Sequence, residues 1–207
     1  MNILIIPKIY SRFKNQIEYS IEKKLILFTK KIFPKANIKI AISDDTNSKI
    51  DLIILSGGNN IISFSKKSED LLRNQFDNFF FKLAIKKKIP LLGICHGAQF
   101  IAKKFGCKFS KSKKHIGNHV VNFYDDKLKI NEEIVNSYHD IIIKKESNKL
   151  DVIAKSLDNS VEAFCHKRLN IGGIIWHPER FKKFRILDIK LIKEFYATGN
   201  FSFWKRK

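Results

Sequence analysis

Hydrophobic and polar positions along the chain follow two spacings, one typical of strands and one typical of helices. Short continuous or alternating apolar runs predict strands at 2–6, 38–42, 51–55, 90–95 and 171–176. Apolar residues that recur every three or four positions predict helices at 17–32, 72–83, 97–105 and 186–196. The segment from about 107 to 166 is less regular and holds short β-like pieces, among them "HVVNF" and "VEAF".

The alternation of strands and helices predicts an α/β fold, in which a mostly parallel sheet is covered by helices on both faces. The chain has 207 residues, a length that fits a single domain spanning residues 1–207. Neither an internal repeat nor a low-complexity tract or linker divides the sequence. We therefore expect one domain built around one buried sheet.

Three clusters of polar or reactive residues follow three of the predicted strands. "SGGNN" comes after the strand at 51–55, Cys95 and His96 end the run that begins at Pro90, and "HPER" follows the strand at 171–176. In open α/β sheets, ligands bind outside the carboxyl ends of the strands. The three clusters are therefore expected to meet at one edge of the sheet and to form an active site.

The sequence "GICHG" has the G-x-C-x-G pattern of a nucleophile elbow, the sharp strand-to-helix turn that exposes its central side chain. Gly93 and Gly97 leave room for the turn, and the N-terminus of the following helix favours a thiolate at Cys95. The alternative is that Cys95 is only a small hydrophobic residue at a buried strand end. Glycines on both sides suit neither a strand nor a helix interior, so they favour the nucleophile.

The sequence "WHPE" supplies a base and a group to orient it. In an extended chain His177 and Glu179 point to the same side, and Pro178 stiffens the backbone between them. The carboxylate would then hold the imidazole in the tautomer that takes a proton from sulfur. A surface turn that ends the strand is the alternative interpretation.

Two backbone N–H groups are predicted to form an oxyanion hole. In an elbow, one donor is the N–H of the residue after the nucleophile, here His96. The glycine pair Gly57–Gly58 would present the second donor without obstruction by a side chain. His96 is therefore expected to act through its main chain, and a catalytic His96 side chain is the alternative.

Charge and cysteine content narrow the classes of partner and compartment. Forty Lys and Arg against twenty Asp and Glu give a net charge of +20, which attracts anions. Nucleic acid is not expected as a partner, because no nucleic-acid-binding motif accompanies this charge. A membrane is not expected either, because no apolar stretch is long enough to span one. Three cysteines, an odd number without paired spacing, indicate a reducing compartment, the cytoplasm.

The histidines outside the predicted active site have no spacing that is typical of metal ligands. Neither a metal nor a cofactor is therefore expected. His119 and His139 are expected to border the pocket, whereas His115 and His166 are expected at the surface or in the core.

The motifs "SGG", "GICHGAQ" and "WHPE" together resemble the class I glutamine amidotransferases. "VNSYHD" (135–140), "VEAF" (161–164) and "HPER" resemble the free-standing γ-glutamyl hydrolase (peptidase C26-like) branch of that family. The resemblance covers about residues 51–181 and implies a flavodoxin-like fold. It implies a catalytic triad of Cys95, His177 and Glu179. It also implies that Gly58 and His96 form the oxyanion hole. The residues implied to hold the γ-glutamyl group are Gln99, Ser137 and Tyr138.

Within this branch, the motif combination most resembles the γ-glutamyl-CDP-amidate hydrolases of capsule phosphoramidate synthesis. That resemblance implies a cysteine hydrolase that cleaves a γ-glutamyl amide through a thioester and releases glutamate. A nucleotide-linked leaving group would require basic side chains at the mouth of the cleft, for which Arg180, Lys182 and Lys183 are candidates.

Two alternatives remain open from the sequence. One is a glutaminase subunit that delivers ammonia to a separate synthetase. The other is a protein of the DJ-1/PfpI group, of which "ICHG" is typical and in which the histidine after the cysteine is itself catalytic.

Overall fold

A mixed sheet of eleven strands forms the centre of the molecule in a computed structural model, which describes residues 1–13, 16–44, 48–125 and 128–201. In chain order the strands are β1 (Asn2–Ile6), β2 (Lys8–Ser11), β3 (Ile17–Ser20), β4 (Asn37–Ile40), β5 (Leu52–Leu55), β6 (Leu91–Ile94), β7 (Lys108–Lys111), β8 (His119–Asp125), β9 (Leu128–Val135), β10 (Ile141–Lys145), β11 (Leu150–Ser156), β12 (Val161–His166) and β13 (Ile171–Ile174). The α-helices are α1 (Lys23–Ile32), α2 (Ser68–Lys87), α3 (His96–Lys104) and α4 (Ile186–Thr198), and two 3-10 helices span Lys113–His115 and Pro178–Arg180. Within the described ranges, no helix combines the length and the apolar character needed to cross a bilayer.

Five neighbouring strands of the sheet are parallel, in the order β4, β1, β5, β6 and β13. The strands β5, β6 and β13 are buried along their whole length, as strands covered on both faces must be. On one face α1 and α4 pack through residues such as Phe28 and Phe195, and on the other α2 and α3 pack through Phe80 and Ile101. The predicted α/β sheet with helices on both faces is confirmed.

The irregular segment from 107 to 166 supplies the antiparallel part of the sheet. β12 pairs with β13 and continues through β11, β8 and β9, while β10 joins β12 to β7. The pieces "HVVNF" and "VEAF" lie in β8 and β12. The sheet is therefore parallel where the strands end at the candidate site and antiparallel beyond it.

The predicted helix at 17–32 is wrong in its first part. Residues Ile17–Ser20 form β3, which pairs antiparallel with β2 in a separate two-stranded sheet, and α1 begins only at Lys23. The spacing of four between Ile17 and Ile21 fits a helix, but strand formation here depends on backbone pairing with a neighbour. Local apolar spacing does not reveal that neighbour.

Candidate active site

Cys95 lies in the sharp turn between β6 and α3. Its backbone has φ 51° and ψ −106°, and such a positive φ is uncommon for a residue with a side chain. The N–H of Cys95 donates to the carbonyl of Ile174 on β13 at 2.9 Å, which holds the turn against the neighbouring strand. Backbone strain of this kind is concentrated at functional sites. The strained turn lies at the carboxyl end of the sheet, where it presents the side chain of Cys95.

Two glycines make this turn possible. A Cβ on Gly93 would lie 2.4 Å from the backbone nitrogen of Ala98, and a Cβ on Gly97 would lie 2.2 Å from the carbonyl oxygen of Leu55. Both distances are far below van der Waals contact, and the opposing atoms belong to the backbone. A side chain at either position would therefore displace α3 from the sheet.

His177 and Glu179 form a buried pair beyond the end of β13. The Nδ1 atom of His177 lies 2.7 Å from Oε1 of Glu179. The predicted pairing is present, but the predicted extended backbone is wrong, because residues Pro178–Arg180 form a 3-10 helix. Proline suits the first position of a helix, and the tight turn after it brings the carboxylate back to the imidazole.

Gly57 packs against both Cys95 and His177. A Cβ on Gly57 would lie 2.7 Å from Cε1 of His177 and 3.2 Å from Cβ of Cys95. Burial opposes a charge on His177, but the Cys95 sulfur and the Glu179 carboxylate overcome this effect and raise the pKa of His177 to about 10. The structure thus brings the three predicted triad residues together and favours an imidazolium beside Cys95 at neutral pH.

The predicted oxyanion donors belong to the two segments that flank this pair. His96 is the first residue of α3, where backbone N–H groups have no acceptor within the helix. Gly58 follows Gly57 in the loop after β5 and has φ 122°, a conformation that favours glycine. A Cβ on Gly58 would meet Cδ of Lys8 at 2.6 Å. The binding of an oxyanion by these two N–H groups stays a prediction.

The side chain of His96 is engaged with α2. Its Nε2 atom lies 2.9 Å from Oδ2 of Asp77, and Oδ1 of Asp77 accepts a hydrogen bond from Nε of Arg73 at 2.8 Å. Arg73 also donates to the carbonyl of Ser56 at 2.8 Å, in the loop that leads to Gly57. Neither Arg73 nor Asp77 is singled out by the sequence, because charged residues on a helix are ordinarily exposed.

Two of the residues predicted to hold the γ-glutamyl group make internal hydrogen bonds. Nε2 of Gln99 donates to the carbonyl of Ile141 at 2.8 Å, and the hydroxyl of Ser137 donates to the carbonyl of His115. Both side chains are buried. Gln99 thereby links α3 to the start of β10, and Ser137 links the "VNSYHD" segment to the 3-10 helix at Lys113–His115. The contact of both side chains with substrate stays a prediction.

Tyr138, the third of these residues, is the exposed one. Its ring lies 5.6 Å from the ring of His177, and the guanidinium of Arg180 stacks over it at 4.6 Å. Arg180 also donates to both carboxylate oxygens of Glu22, at 3.1 and 3.0 Å from Nε. Tyr138 and Arg180 therefore form one wall beside His177.

Asn136 is a site residue that the sequence analysis missed. Its Oδ1 accepts a hydrogen bond from the N–H of His177 at 2.9 Å, and its Nδ2 donates to the carbonyl of the same residue at 2.8 Å. Both bonds are buried and join residues that lie 41 positions apart. The signal was present, since Asn136 precedes Ser137 within "VNSYHD", but only three-dimensional contact shows that it fixes the backbone of His177.

Comparison with known proteins decides the family. Residues 9–195 match the model of the family described as glutamine amidotransferase class-I. The chain belongs to the class-I glutamine amidotransferases. This membership confirms the prediction of an enzyme that hydrolyses γ-glutamyl amides. It also decides against the alternative that the chain is a protein of the DJ-1/PfpI group.

Individual relatives of this class-I amidotransferase include proteins of different activity. It is 38% identical over 148 residues to the gamma-glutamyl-CDP-amidate hydrolase of Campylobacter jejuni, covering 72% of this chain and 70% of that protein. It is 34% identical over 129 residues to anthranilate synthase component 2 of Methanocaldococcus jannaschii, covering 56% and 66% respectively. The crystal structure of a glutamine amidotransferase from Thermotoga maritima superposes with a TM-score of 0.62 at 16% identity, over 95% of this chain and 81% of that one. That likeness confirms the fold.

Proposed function

We propose that this chain is a free-standing hydrolase of a γ-glutamyl amide whose leaving group is a nucleotide-linked phosphoramidate, as in γ-glutamyl-CDP-amidate. The observation that carries this proposal is the 38% identity to the gamma-glutamyl-CDP-amidate hydrolase of Campylobacter jejuni over 72% of the chain. Three free, buried cysteines further support action in the reducing cytoplasm.

Catalysis would begin with the Cys95 thiolate. It attacks the γ-carbonyl carbon of the substrate, and the backbone N–H groups of Gly58 and His96 stabilise the oxyanion that forms. The C–N bond then breaks as the imidazolium of His177 gives its proton to the leaving nitrogen. The now neutral imidazole takes a proton from water, and the resulting hydroxide attacks the thioester carbon. The C–S bond then breaks, which releases glutamate and restores the Cys95 thiolate beside the His177 imidazolium. Glu179 orients the imidazole throughout, because its carboxylate lies 2.7 Å from Nδ1.

Basic side chains around the site support an anionic leaving group. The side chain of Lys8 packs on Gly58, and Nζ of Lys24 lies 3.3 Å from the carbonyl of Arg180. The charge of Arg180 itself is partly neutralised by Glu22. Lys182 and Lys183 are exposed and follow Arg180 closely in the chain. In this proposal they contact a phosphate of the leaving group.

A competition between substrates tests this proposal. We expect glutamate release from γ-glutamyl-CDP-amidate to exceed that from glutamine and from γ-glutamyl-aminobutyrate, and to fall with ionic strength. Replacing both Lys182 and Lys183 by Gln should lower kcat/KM for the charged substrate and leave glutamine hydrolysis unchanged. The matched control replaces Lys86 and Lys87, at the end of α2. Preference for an uncharged substrate, without a salt effect, would reject the nucleotide assignment.

The second candidate is a glutaminase subunit that passes ammonia to a synthetase. The observation in its favour is the 34% identity to anthranilate synthase component 2 of Methanocaldococcus jannaschii. A subunit of this kind should prefer glutamine and should be activated by its partner. The same competition therefore separates the two candidates, because a free hydrolase should leave glutamine largely uncleaved.

A further inference from the structure

Three histidines converge on the buried carboxylate of Glu162 on β12. Nδ1 of His115 and Nε2 of His119 lie 3.2 and 3.4 Å from Oε1 of Glu162, and Nε2 of His139 lies 4.0 Å from Oε2. The side chain of Glu162 is 1% exposed, and that of His119, the most open of the histidines, is 14% exposed. We call these four residues the Glu162 cluster. His115 and His119 lie four positions apart, but His139 and Glu162 come from distant segments, so the sequence does not reveal the whole group.

Hydrogen bonds on the far side of two rings determine which nitrogen carries a proton. Nε2 of His115 faces Oδ2 of Asp158 at 3.0 Å, and Nδ1 of His139 faces the carbonyl oxygen of Ile141 at 3.0 Å. A carboxylate and a carbonyl only accept, so both of these nitrogens donate. In a neutral imidazole the other nitrogen then bears a lone pair. When both imidazoles are neutral, the lone pairs of His115 Nδ1 and His139 Nε2 therefore face a carboxylate that is itself an acceptor.

Nothing among the described residues satisfies these facing acceptors. Neither oxygen of Glu162 has a hydrogen-bond partner, and the same holds for His115 Nδ1, His139 Nε2 and both ring nitrogens of His119. Buried charges in proteins are paired with an opposite charge or coordinate a metal. The buried carboxylate therefore requires a positive charge beside it, which either protons on the histidines or a metal cation would supply.

We propose that His115, His119 and Glu162 bind a divalent first-row transition-metal ion such as Zn²⁺, with His139 as the fourth residue of the site. Imidazole nitrogen and carboxylate oxygen are zinc ligands at about 2.0–2.1 Å, which in a tetrahedron places neighbouring ligand atoms about 3.3 Å apart. The observed separations of 3.2 and 3.4 Å match this value. All three ligand atoms lie within 4.8 Å of one another.

The outer contacts of the cluster are those of a metal site. Metal-binding histidines ordinarily donate their second ring N–H to a carboxylate or a backbone carbonyl, which fixes the tautomer and the ring orientation. Asp158 does this for His115, and the carbonyl of Ile141 does it for His139. Asp158 is held in turn by Ser156, whose hydroxyl donates to Oδ1 at 2.6 Å.

The proposed ion would support the substrate-binding segment and would not act on the substrate. Ser137 donates to the carbonyl of His115, and the N–H of Gly117 donates to the carbonyl of Ser137 at 2.9 Å. His139 follows Tyr138 directly. The ligand-bearing segments and the predicted γ-glutamyl-binding segment are therefore joined by hydrogen bonds, and a bound ion would fix one against the other.

Metal analysis of the full-length chain tests this site. The parent protein carries Cys95→Ala, so that the active-site thiol cannot bind zinc. After dialysis against Zn²⁺ and removal of excess metal, we expect about one ion per chain by mass spectrometry, and a tetrahedral nitrogen–oxygen spectrum when Co²⁺ replaces Zn²⁺. Glu162→Gln and, independently, His119→Gln should reduce the content to below about a tenth of an ion. His166→Gln and Glu146→Gln, which lie outside the cluster, should leave it unchanged.

A stability measurement provides a second readout. A chelator should lower the Tm of the metal-loaded parent by several degrees and leave the Tm of folded Glu162→Gln unchanged, because only the parent has an ion to lose. His119→Gln, at the more open edge, keeps the test valid if Glu162→Gln does not fold. Metal content below about a tenth of an ion in the parent would overturn the proposal and show that protons neutralise the cluster. Equal binding by the parent and the cluster variants would also overturn it.

Discussion

Asp77 holds the imidazole of His96 on the α2 side of the nucleophile turn, with Nε2 of His96 2.9 Å from Oδ2 of Asp77. His96 is therefore adjacent to Cys95 in sequence, but its ring is bound to another helix. The imidazole that shares the Gly57 surface with Cys95 is that of His177. This arrangement gives the two histidines different expected roles, one through the backbone and one through the ring.

Substitution of His96 tests this difference. His96→Leu should keep kcat within about tenfold of the parent, whereas His177→Ala should lose several orders of magnitude. His96→Leu should also lower the free energy of unfolding by about 1–3 kcal/mol, because buried Asp77 loses one of its two partners and keeps Arg73. Activity assays and denaturant unfolding measure the two effects. The reverse order of activities would make the His96 ring catalytic.

Cys95 should be the only cysteine required for turnover. Cys95→Ala should abolish glutamate release, while Cys107→Ala and Cys165→Ala should retain most of it. Burial raises the pKa of both control thiols, so neither is a ready nucleophile. Mass spectrometry after inactivation by diazo-oxo-norleucine should find the adduct on Cys95, and an adduct on either other cysteine would contradict the assignment.

The alkaline limb of the pH profile should report His177. Burial disfavours its charge, but Cys95 and Glu179 raise the pKa of His177 to about 10, so the imidazolium persists through neutral pH and is lost as pH rises through that value. A general acid must be protonated, so kcat/KM should fall above about pH 10. In Glu179→Gln one of the raising contacts is weakened, and the limb should move to lower pH. An unmoved limb would assign it to another group.

Asn136 is expected to act as a positioning residue for His177. Asn136→Ala removes both hydrogen bonds to the His177 backbone and should lower kcat about tenfold to a hundredfold with little change in KM. Asn136→Asp keeps the acceptor for the His177 N–H and should recover part of the loss. Asn122→Ala, at another buried asparagine, is the control. A rise in KM alone would instead indicate contact with the substrate.

The sequence predicted the parts of the fold and the site that depend on local pattern. Each central strand, the glycine pair of the turn and the pairing of His177 with Glu179 is determined by residues that lie within a few positions of one another, so each spacing is visible in the printed chain. Family resemblance added the triad and the class of reaction.

The remaining features depend on contacts between distant segments. On α2, a stripe of Leu72, Phe76, Phe79, Phe80 and Leu83 predicts the packed face, yet Leu72 is 38% exposed and the buried positions include Asp70, Arg73 and Asp77. These charged side chains are buried because each has hydrogen-bond partners in the folded chain. Asp70 accepts hydrogen bonds from Asn59 and Ser65, and Asp77 is paired with His96. A hydropathy pattern counts such residues as polar and places them outside. The sequence analysis missed the Glu162 cluster because its members also come together only through contacts between distant segments.

One carbonyl oxygen, that of Ile141, accepts hydrogen bonds from both Gln99 at 2.8 Å and His139 at 3.0 Å. Gln99 belongs to the helix that begins directly after Cys95, and His139 belongs to the Glu162 cluster. The helix that follows Cys95 and the Glu162 cluster therefore share one hydrogen-bond acceptor, the carbonyl oxygen of Ile141. A movement of β10 by a fraction of an ångström would change both hydrogen bonds at once, so mutations on that strand should alter the reactivity of Cys95.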